Sequence, residues 1–181
     1  MKLARRVLMA FFAVALLAPV VFAEEHKLSG ENTTLKFVGS KKDGKHSGQF
    51  PKLEGAIVTD GEDHSKAKLT LTIDMNALTS DDAKLTAHLK NADFFEVKKY
   101  PEAKFVSTKV EVKSEHEFII TGDLTLHGKT APITFPLKME DKDGAHVLSG
   151  AWKLDRTKWG ITYGKGMIND EVDMSVSIKL H

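Results

Sequence analysis

Histidine is the residue type in this sequence best suited to acid–base or metal chemistry, and the chain has eight of them. The histidines are dispersed, and no two have the His-x-His spacing or the spacing of a metalloprotease helix. Asp141 and Asp143 begin like a calcium-binding loop, but the glycine and glutamate that complete such a loop are not at the required places. The pattern therefore predicts solvated or structural histidines and no metal site.

Motifs for nucleophilic catalysis are missing as well. The sequence has no Gly-x-Ser-x-Gly elbow, and the stretch Gly44 to Gly48 lacks the spacing of a phosphate-binding loop. Cysteine does not occur in the sequence, which excludes disulfides, thiolate metal ligands and a cysteine nucleophile. We therefore predict no catalytic residues.

Two segments combine polar and aromatic side chains in a way that suits ligand contact. His88 falls among apolar residues at helical spacing, where it is either a satisfied, partly buried histidine or a polar anchor for a ligand head group. Arg156 begins the segment Arg-Thr-Lys-Trp-Gly, and we expect it to pair with a carboxylate. Trp152 and Trp159 are candidates for ligand contact, although packing in the core is the commoner use of tryptophan.

The N-terminal segment, residues 1–23, has the pattern of a secretory signal peptide. Lys2, Arg5 and Arg6 form a basic head, and the uncharged run after them ends in Val-Phe-Ala. This run is shorter than the roughly 20 residues that a spanning helix needs. We expect cleavage after Ala23, export to the periplasm with full secretion left open, and no stable membrane span after cleavage.

Residues 24–181 are the size of one domain and are predicted to be a single domain. Without the basic residues of the leader, 23 Lys and Arg balance 25 Asp and Glu, and the opposite charges are interspersed. A nucleic-acid-binding protein would carry a basic patch or stripe. The charge pattern therefore predicts no nucleic-acid partner.

Short runs of alternating apolar and polar residues recur along this domain, separated by turn residues. The clearest is Leu124 to Met139, where two runs flank a turn at His127, Gly128 and Lys129, the pattern of a β-hairpin. Within 104–113 the phase changes, because Phe105 is on one parity and Val110 on the other, and we expect a β-bulge between them. The other runs cover 33–40, 53–57, 68–75, 117–126, 147–154 and 172–180. About eight strands result, which predicts an all-β antiparallel barrel or sandwich.

One segment interrupts the strands. Its apolar residues have helical spacing, which predicts a short amphipathic helix over about residues 81–92 with Leu85, His88 and Leu89 on one face. Thr79 or Ser80 is expected to cap the start of this helix. Such a helix can cover one end of a barrel.

A combination of short stretches extends over nearly all of residues 24–180. It consists of His88-Leu89-Lys90, Asp93-Phe94-Phe95, Tyr100-Pro101, Phe105 and Ser107, the hairpin LTLHGKTAPITFP, and the segment Leu154 to Ile161. In this order, the stretches resemble the signature of the YceI-like family of periplasmic polyisoprenoid-binding proteins. The resemblance implies an eight-stranded antiparallel lipocalin-like barrel without catalytic activity. It also implies an interior tunnel for a long-chain isoprenoid, quinone-like or fatty lipid, and no other cofactor.

Strand parity then predicts which side chains line such a tunnel, with aromatic residues near its mouth. The predicted lining residues are Leu69, Leu71, Ile73, Phe118, Ile120, Ile133, Phe135, Leu137, Met174, Val176 and Ile178, with Phe94, Phe95 and Trp159 near the mouth and His88 and Trp152 as further ligand contacts.

Alternation alone leaves other functions open. The same barrel with a packed core would be an interaction module that recruits an envelope protein through its surface. A lipid-modifying enzyme with His88 or Asp93 as the base is a further alternative, although no partner residue is evident. A homodimer that shares the tunnel mouths is equally compatible with the pattern.

Overall fold

The computed structural model describes residues 23–61 and 63–180. The predicted signal peptide therefore lies outside the described residues, except for Ala23, which begins the first strand. Across the described part of the chain, no helix has the length and apolar composition needed to cross a bilayer.

Within the described residues, eleven strands form one antiparallel sheet. In chain order, β1 to β11 are Ala23–Ser29, Thr33–Lys41, Gly44–Gln49, Leu53–Asp60, Lys68–Asp74, Thr79–Ser80, Glu102–Ser114, Glu117–Leu126, Lys129–Lys142, Ala145–Asp155 and Glu171–Leu180. The hydrogen-bonded order is β1-β4-β5-β7-β8-β9-β10-β11-β2-β3-β6. The α-helix of this part of the chain, α1, covers Ala83–Leu89, and short 3₁₀ turns cover His64–Lys66, Met75–Ala77 and Arg156–Trp159.

The sheet curls around a single core. In a flat sheet, β1 and β2 would be about 40 Å apart, because eight strand spacings of about 4.8 Å separate them in the order. Yet Leu28 of β1 and Leu35 of β2 are both buried and line the same cavity. The fold is therefore a curled, barrel-like sheet, and in the described residues no ladder joins its two edge strands, β1 and β6.

The all-β class is confirmed, and each of the eight predicted runs is a strand. The structure adds three strands that the sequence pattern does not predict, β1, β3 and β6. Leu28 is the sole buried residue of β1, and β3 has none. These strands lie at the two edges of the sheet, where neither face needs a row of apolar residues. Their sequences therefore lack the alternating pattern by which a strand is predicted.

The predicted hairpin and the predicted bulge are both present. The β8–β9 turn places His127 and Gly128 at φ values of 50° and 73°, the left-handed conformation that a two-residue type I′ turn requires. The β7–β8 register shifts between Ser107 and Lys109. This bulge turns both Phe105 and Val110 towards the core, which resolves their conflicting parity.

Helix α1 is shorter than predicted and has a different cap. Asp82, not Thr79 or Ser80, caps it, because the Asp82 carboxylate accepts a hydrogen bond of 2.7 Å from the backbone N–H of Leu85. Thr79 and Ser80 instead pair with β3 as strand β6. The pairing holds their backbone in the sheet, so the helix begins after it.

Candidate functional site

The interior of the curled sheet contains a cavity of about 290 Å³. Its walls are formed by side chains on the inner face of the sheet. Residues of α1, of the segment after α1 and of the loop after β10 complete the walls. The lining is almost entirely apolar. Of the residues predicted to line a tunnel, those that line this cavity are Leu69, Leu71, Ile73, Phe94, Phe95, Ile133, Phe135, Leu137, Trp152, Met174, Val176 and Ile178.

Phe118 and Ile120 were expected in the lining but are not part of it. Both are buried, in the half of β8 that begins at the β7–β8 turn, whereas Leu124 and Leu126 at the other end of the strand line the cavity. The ring of His64, in a 3₁₀ turn, packs edge-on against Phe118 at 5.9 Å between centroids. Phe118 and Ile120 therefore pack in the core outside the cavity lining.

Trp159 also lies outside the lining, although the sequence places it near the mouth. It is completely buried in the 3₁₀ turn after β10, and its indole N–H donates to the backbone carbonyl of Leu124 over 2.9 Å. Asp155 caps this turn, and Gly160 ends it in the left-handed conformation. Trp159 therefore packs behind the cavity wall, where it contacts the backbone of the lining residue Leu124.

His88 is not among the residues that line the cavity. Its Nε2 is 2.9 Å from Oδ2 of Asp93, and its ring packs edge-on against Phe94 and Tyr163 with centroids 5.0 Å and 4.9 Å away. The structure thus shows a satisfied, partly buried histidine outside the cavity lining, and a ligand contact by His88 stays a prediction. The two candidate bases of the enzymatic alternative, His88 and Asp93, engage each other on the surface outside the cavity lining.

Trp152 does face the cavity. Its ring stacks on Phe135 with centroids 4.6 Å apart and planes 23° from parallel. Its buried indole N–H has no hydrogen-bond partner among the described residues. Since β9 and β10 each supply one ring of this pair, the stack forms a flat aromatic wall suited to a hydrocarbon chain.

Arg156 does more than pair with a carboxylate. Its guanidinium approaches Asp170 at 3.4 Å and donates to the backbone carbonyls of Ile161, Tyr163, Ile168 and Asn169. Arg156 as a whole is only 5% exposed. Arg156 thus holds the loop 161–170 in place, and Ile161 and Ile168 of that loop complete the cavity wall.

A row of residues on β2 was missed as part of the lining. Thr33, Leu35, Phe37, Gly39 and Lys41 all line the cavity, as expected for alternate positions of one strand. The alternation of Leu35, Phe37 and Gly39 was visible in the sequence. Extending the same parity by two residues in each direction would have found Thr33 and Lys41.

His46 also lines the cavity, directly across the β2–β3 ladder from Gly39. Its Nδ1 is 2.9 Å from the Asp81 carboxylate, which also accepts from the backbone N–H and the hydroxyl of Ser47. These hydrogen bonds, that from the Ser47 backbone foremost, hold the pKa of Asp81 below its ordinary value. The Asp81 carboxylate is thus satisfied within the protein.

The arrangement as a whole suits binding of an apolar chain. Its walls are hydrocarbon and aromatic, and the polar side chains of the lining are Thr33, Ser40, Lys41, His46 and Arg156. Among the residues that the structure describes, no three His, Asp or Glu side chains are grouped so as to hold a metal ion.

Comparison with known sequences identifies relatives over most of the chain. The model of the YceI-like domain matches residues 26–180. A UPF0312 protein of Pseudomonas putida is 36% identical over 138 residues, which cover 73% of this chain and 71% of that protein. Protein YceI of Salmonella arizonae is 32% identical over 138 residues, covering 73% and 72% of the two chains.

Solved structures share the fold at low sequence identity. BcnA of Burkholderia cenocepacia superposes with a TM-score of 0.76 at 21% identity, covering 82% of this chain and 96% of that chain. A polyisoprenoid binding domain from Saccharophagus degradans, implicated in plant cell wall breakdown, superposes with a TM-score of 0.65 at 16% identity, covering 86% and 96%.

Proposed function

Because the chain belongs to the YceI-like domain family, we propose that it is a carrier that holds the alkyl chain of a long isoprenoid or similar lipid without chemically altering it. The observation that carries the proposal is the apolar cavity of about 290 Å³ inside the curled sheet. Cavities that hold small molecules begin at about this size. The polyisoprenoid binding domain from Saccharophagus degradans, which shares the fold, supports the same class of ligand.

The driving force for binding is the removal of hydrocarbon from water. Each buried methylene contributes about 0.8 kcal/mol, so a chain that buries about ten of them gains about 8 kcal/mol, equivalent to a micromolar dissociation constant before the cost of ordering the chain. The wall supplies no hydrogen-bonding groups that a hydrocarbon would leave unsatisfied, apart from the few polar side chains named above. Discrimination within the walls therefore depends on chain length and shape.

Export fits this role. The basic head and uncharged run of residues 1–23 support export to the periplasm, where a lipid must cross water to move between membranes. A carrier that encloses the alkyl chain solves this problem, because the complex presents the protein surface, and not the alkyl chain, to water.

The two alternatives explain less of the structure. An interaction module with a packed core has no need of an apolar cavity at the centre of the barrel, since an unfilled cavity costs stability. A lipid-modifying enzyme needs a base facing the bound chain, and His88 and Asp93 are both outside the lining.

The test begins with protein exported by a bacterial host and purified from its envelope without detergent. Solvent extraction and mass spectrometry should find an alkyl compound at about one molecule per protein. Ile133→Asp places a carboxylate in the wall and should abolish loading, whereas Thr134→Asp, on the outer face of the same strand, should load normally. Ile133→Phe, which narrows the cavity without adding charge, covers the case in which Ile133→Asp fails to fold.

An empty wild-type protein after mild purification would favour the interaction module. A lipid that is chemically changed after incubation with the protein would favour the enzyme. Equal loading of all the variants would show that the chain is not held in this cavity.

A further inference from the structure

The polar end of the cavity is built on the last residues of β2. The inward row of this strand runs Leu35, Phe37, Gly39 and Lys41, so the apolar wall ends in an ammonium group. Lys41 is solvent-exposed and lines the cavity at the same time. It therefore stands at the mouth, where the cavity meets water.

Open space lies directly inside Lys41. A Cβ atom built on Gly39 would meet no atom within 4 Å, unlike one on Gly48, which would come within 2.2 Å of the Phe37 ring. Gly39 is the neighbour of Lys41 on the inward row, one step deeper. A group bound at the Lys41 ammonium would have its first carbon atoms in this space.

The charge of Lys41 is not neutralised within the described part of the chain. Its ammonium forms none of the ion pairs there, whereas Arg156, the other cationic side chain of the lining with a permanent charge, is saturated by carbonyls and Asp170. The carboxylate of Asp81, which contacts His46 of the lining, is occupied by His46 and Ser47. The surrounding hairpin adds Lys42 and Lys45 against Asp43, so residues 41–45 carry more positive than negative charge.

We infer that the natural ligand is an amphiphile with an anionic head group, a carboxylate or a phosphate, which the ammonium of Lys41 binds at the mouth while the chain lies in the cavity. This inference rests on the proposed function and narrows its ligand class. An ammonium beside a desolvating apolar wall attracts an anion more strongly than it would in open water. A head group bound there also fixes the direction of the alkyl chain, with its tail deeper in the cavity than Gly39.

The test compares ligands with the same chain and different head groups. Delipidated protein, prepared from the exported full chain, is titrated with farnesyl phosphate and with farnesol below their aggregation limits. Quenching of the fluorescence of Trp152, which lines the cavity, reports occupancy. Palmitate and hexadecanol form a second pair, with a carboxylate as the anion.

The expected result is that wild type binds farnesyl phosphate at least about tenfold more tightly than farnesol, and that Lys41→Gln removes about fivefold or more of that preference. Farnesol affinity of Lys41→Gln should stay within about twofold of wild type. Lys36→Gln is the matched control, because it removes the same charge from the outer face of the same strand. Lys41→Arg should keep the preference, and thermal melting checks that each variant is folded.

Equal affinities for phosphate and alcohol, or an unchanged preference in Lys41→Gln, would overturn the inference and leave the proposed function standing. If neither the farnesyl compounds nor the sixteen-carbon compounds bind, the proposed function is overturned, and the inference with it. Inorganic phosphate at the same concentration should not displace farnesyl phosphate. Displacement would mean that the mouth is a free-phosphate site, and this too would overturn the inference.

Discussion

The indole N–H of Trp159 donates a hydrogen bond of 2.9 Å to the backbone carbonyl of Leu124, which is 35 residues away in the chain. The bond joins the 3₁₀ turn after β10 to the end of β8. Leu124 itself lines the cavity, so the bond supports the wall from behind.

Trp159→Phe should therefore be strongly destabilising. The substitution removes the buried donor, which costs about 1–3 kcal/mol when the acceptor is left without a partner, and the smaller ring leaves a void that adds to this cost. The free energy of unfolding, measured by urea denaturation, should fall by about 3 kcal/mol.

Trp152→Phe is the matched control for this prediction. The indole N–H of Trp152 is buried but has no partner among the described residues, so its removal breaks no hydrogen bond. We expect a change in the free energy of unfolding of less than about 1 kcal/mol. Similar losses in both variants would show that ring volume, and not the hydrogen bond, determines the effect.

Arg156→Met should loosen the loop 161–170 more than the rest of the protein. The substitution leaves four backbone carbonyls without their common donor, and breaking a buried charged network costs about 3–5 kcal/mol. Hydrogen exchange should show faster exchange at 161–170. Lys158→Met, which removes an exposed charge two residues away, should leave the exchange unchanged. Uniform acceleration in Arg156→Met across all strands would instead mean global destabilisation.

The strands could be predicted from the sequence because burial on one face of a sheet imposes a period of two. The bulge in β7 is the clearest case, since the conflicting parity of Phe105 and Val110 has one simple geometric solution and the structure contains it. The hairpin turn was equally predictable, because His127 and Gly128 are residue types that tolerate the left-handed conformation.

The candidate site was predicted less completely, for a physical reason. The alternation of residues along a strand predicts which side chains point inward. It does not predict whether other side chains fill the space in front of them. Phe118 and Leu137 are both inward and buried, yet only Leu137 lines the cavity. Lys41 is the converse case, since it lines the cavity but is not predicted to do so. A charged residue at the end of an apolar row usually indicates that the inward face of the strand has ended.

The stability of the turn that carries Arg156 and Trp159 should depend on pH, because the Asp155 carboxylate caps this turn. The Thr157 hydroxyl, at 2.6 Å, and the Thr157 backbone N–H, at 3.0 Å, donate to the Asp155 carboxylate and hold its pKa below its ordinary value. A carboxyl whose pKa is lowered by folding stabilises the protein above its unfolded pKa, and this stabilisation is lost as the pH falls through the folded pKa.

Asp155→Ala should therefore lower the free energy of unfolding by about 1 kcal/mol at neutral pH, as loss of a helix-capping side chain does. The difference from wild type should shrink as the pH is lowered from 4 to 2. Urea denaturation across this range measures it. Asp123→Ala, at an exposed position of β8, should show no comparable loss at neutral pH, and a difference for Asp155→Ala that stays constant down to pH 2 would contradict the assignment.

Gly39→Leu should block ligand loading without unfolding the protein. The open space in front of Gly39 accommodates a side chain, and Gly39 is not among the glycines with a positive φ, so the substitution strains neither packing nor backbone. The leucine would occupy the space just inside Lys41 through which a chain must pass. The amount of extractable lipid per protein should fall at least about fivefold, because filling this space removes the volume that the chain needs. Ala151→Leu, on the exposed face of β10, adds the same side chain outside the barrel and should load normally. Normal loading of Gly39→Leu would mean that the chain enters the cavity by another route.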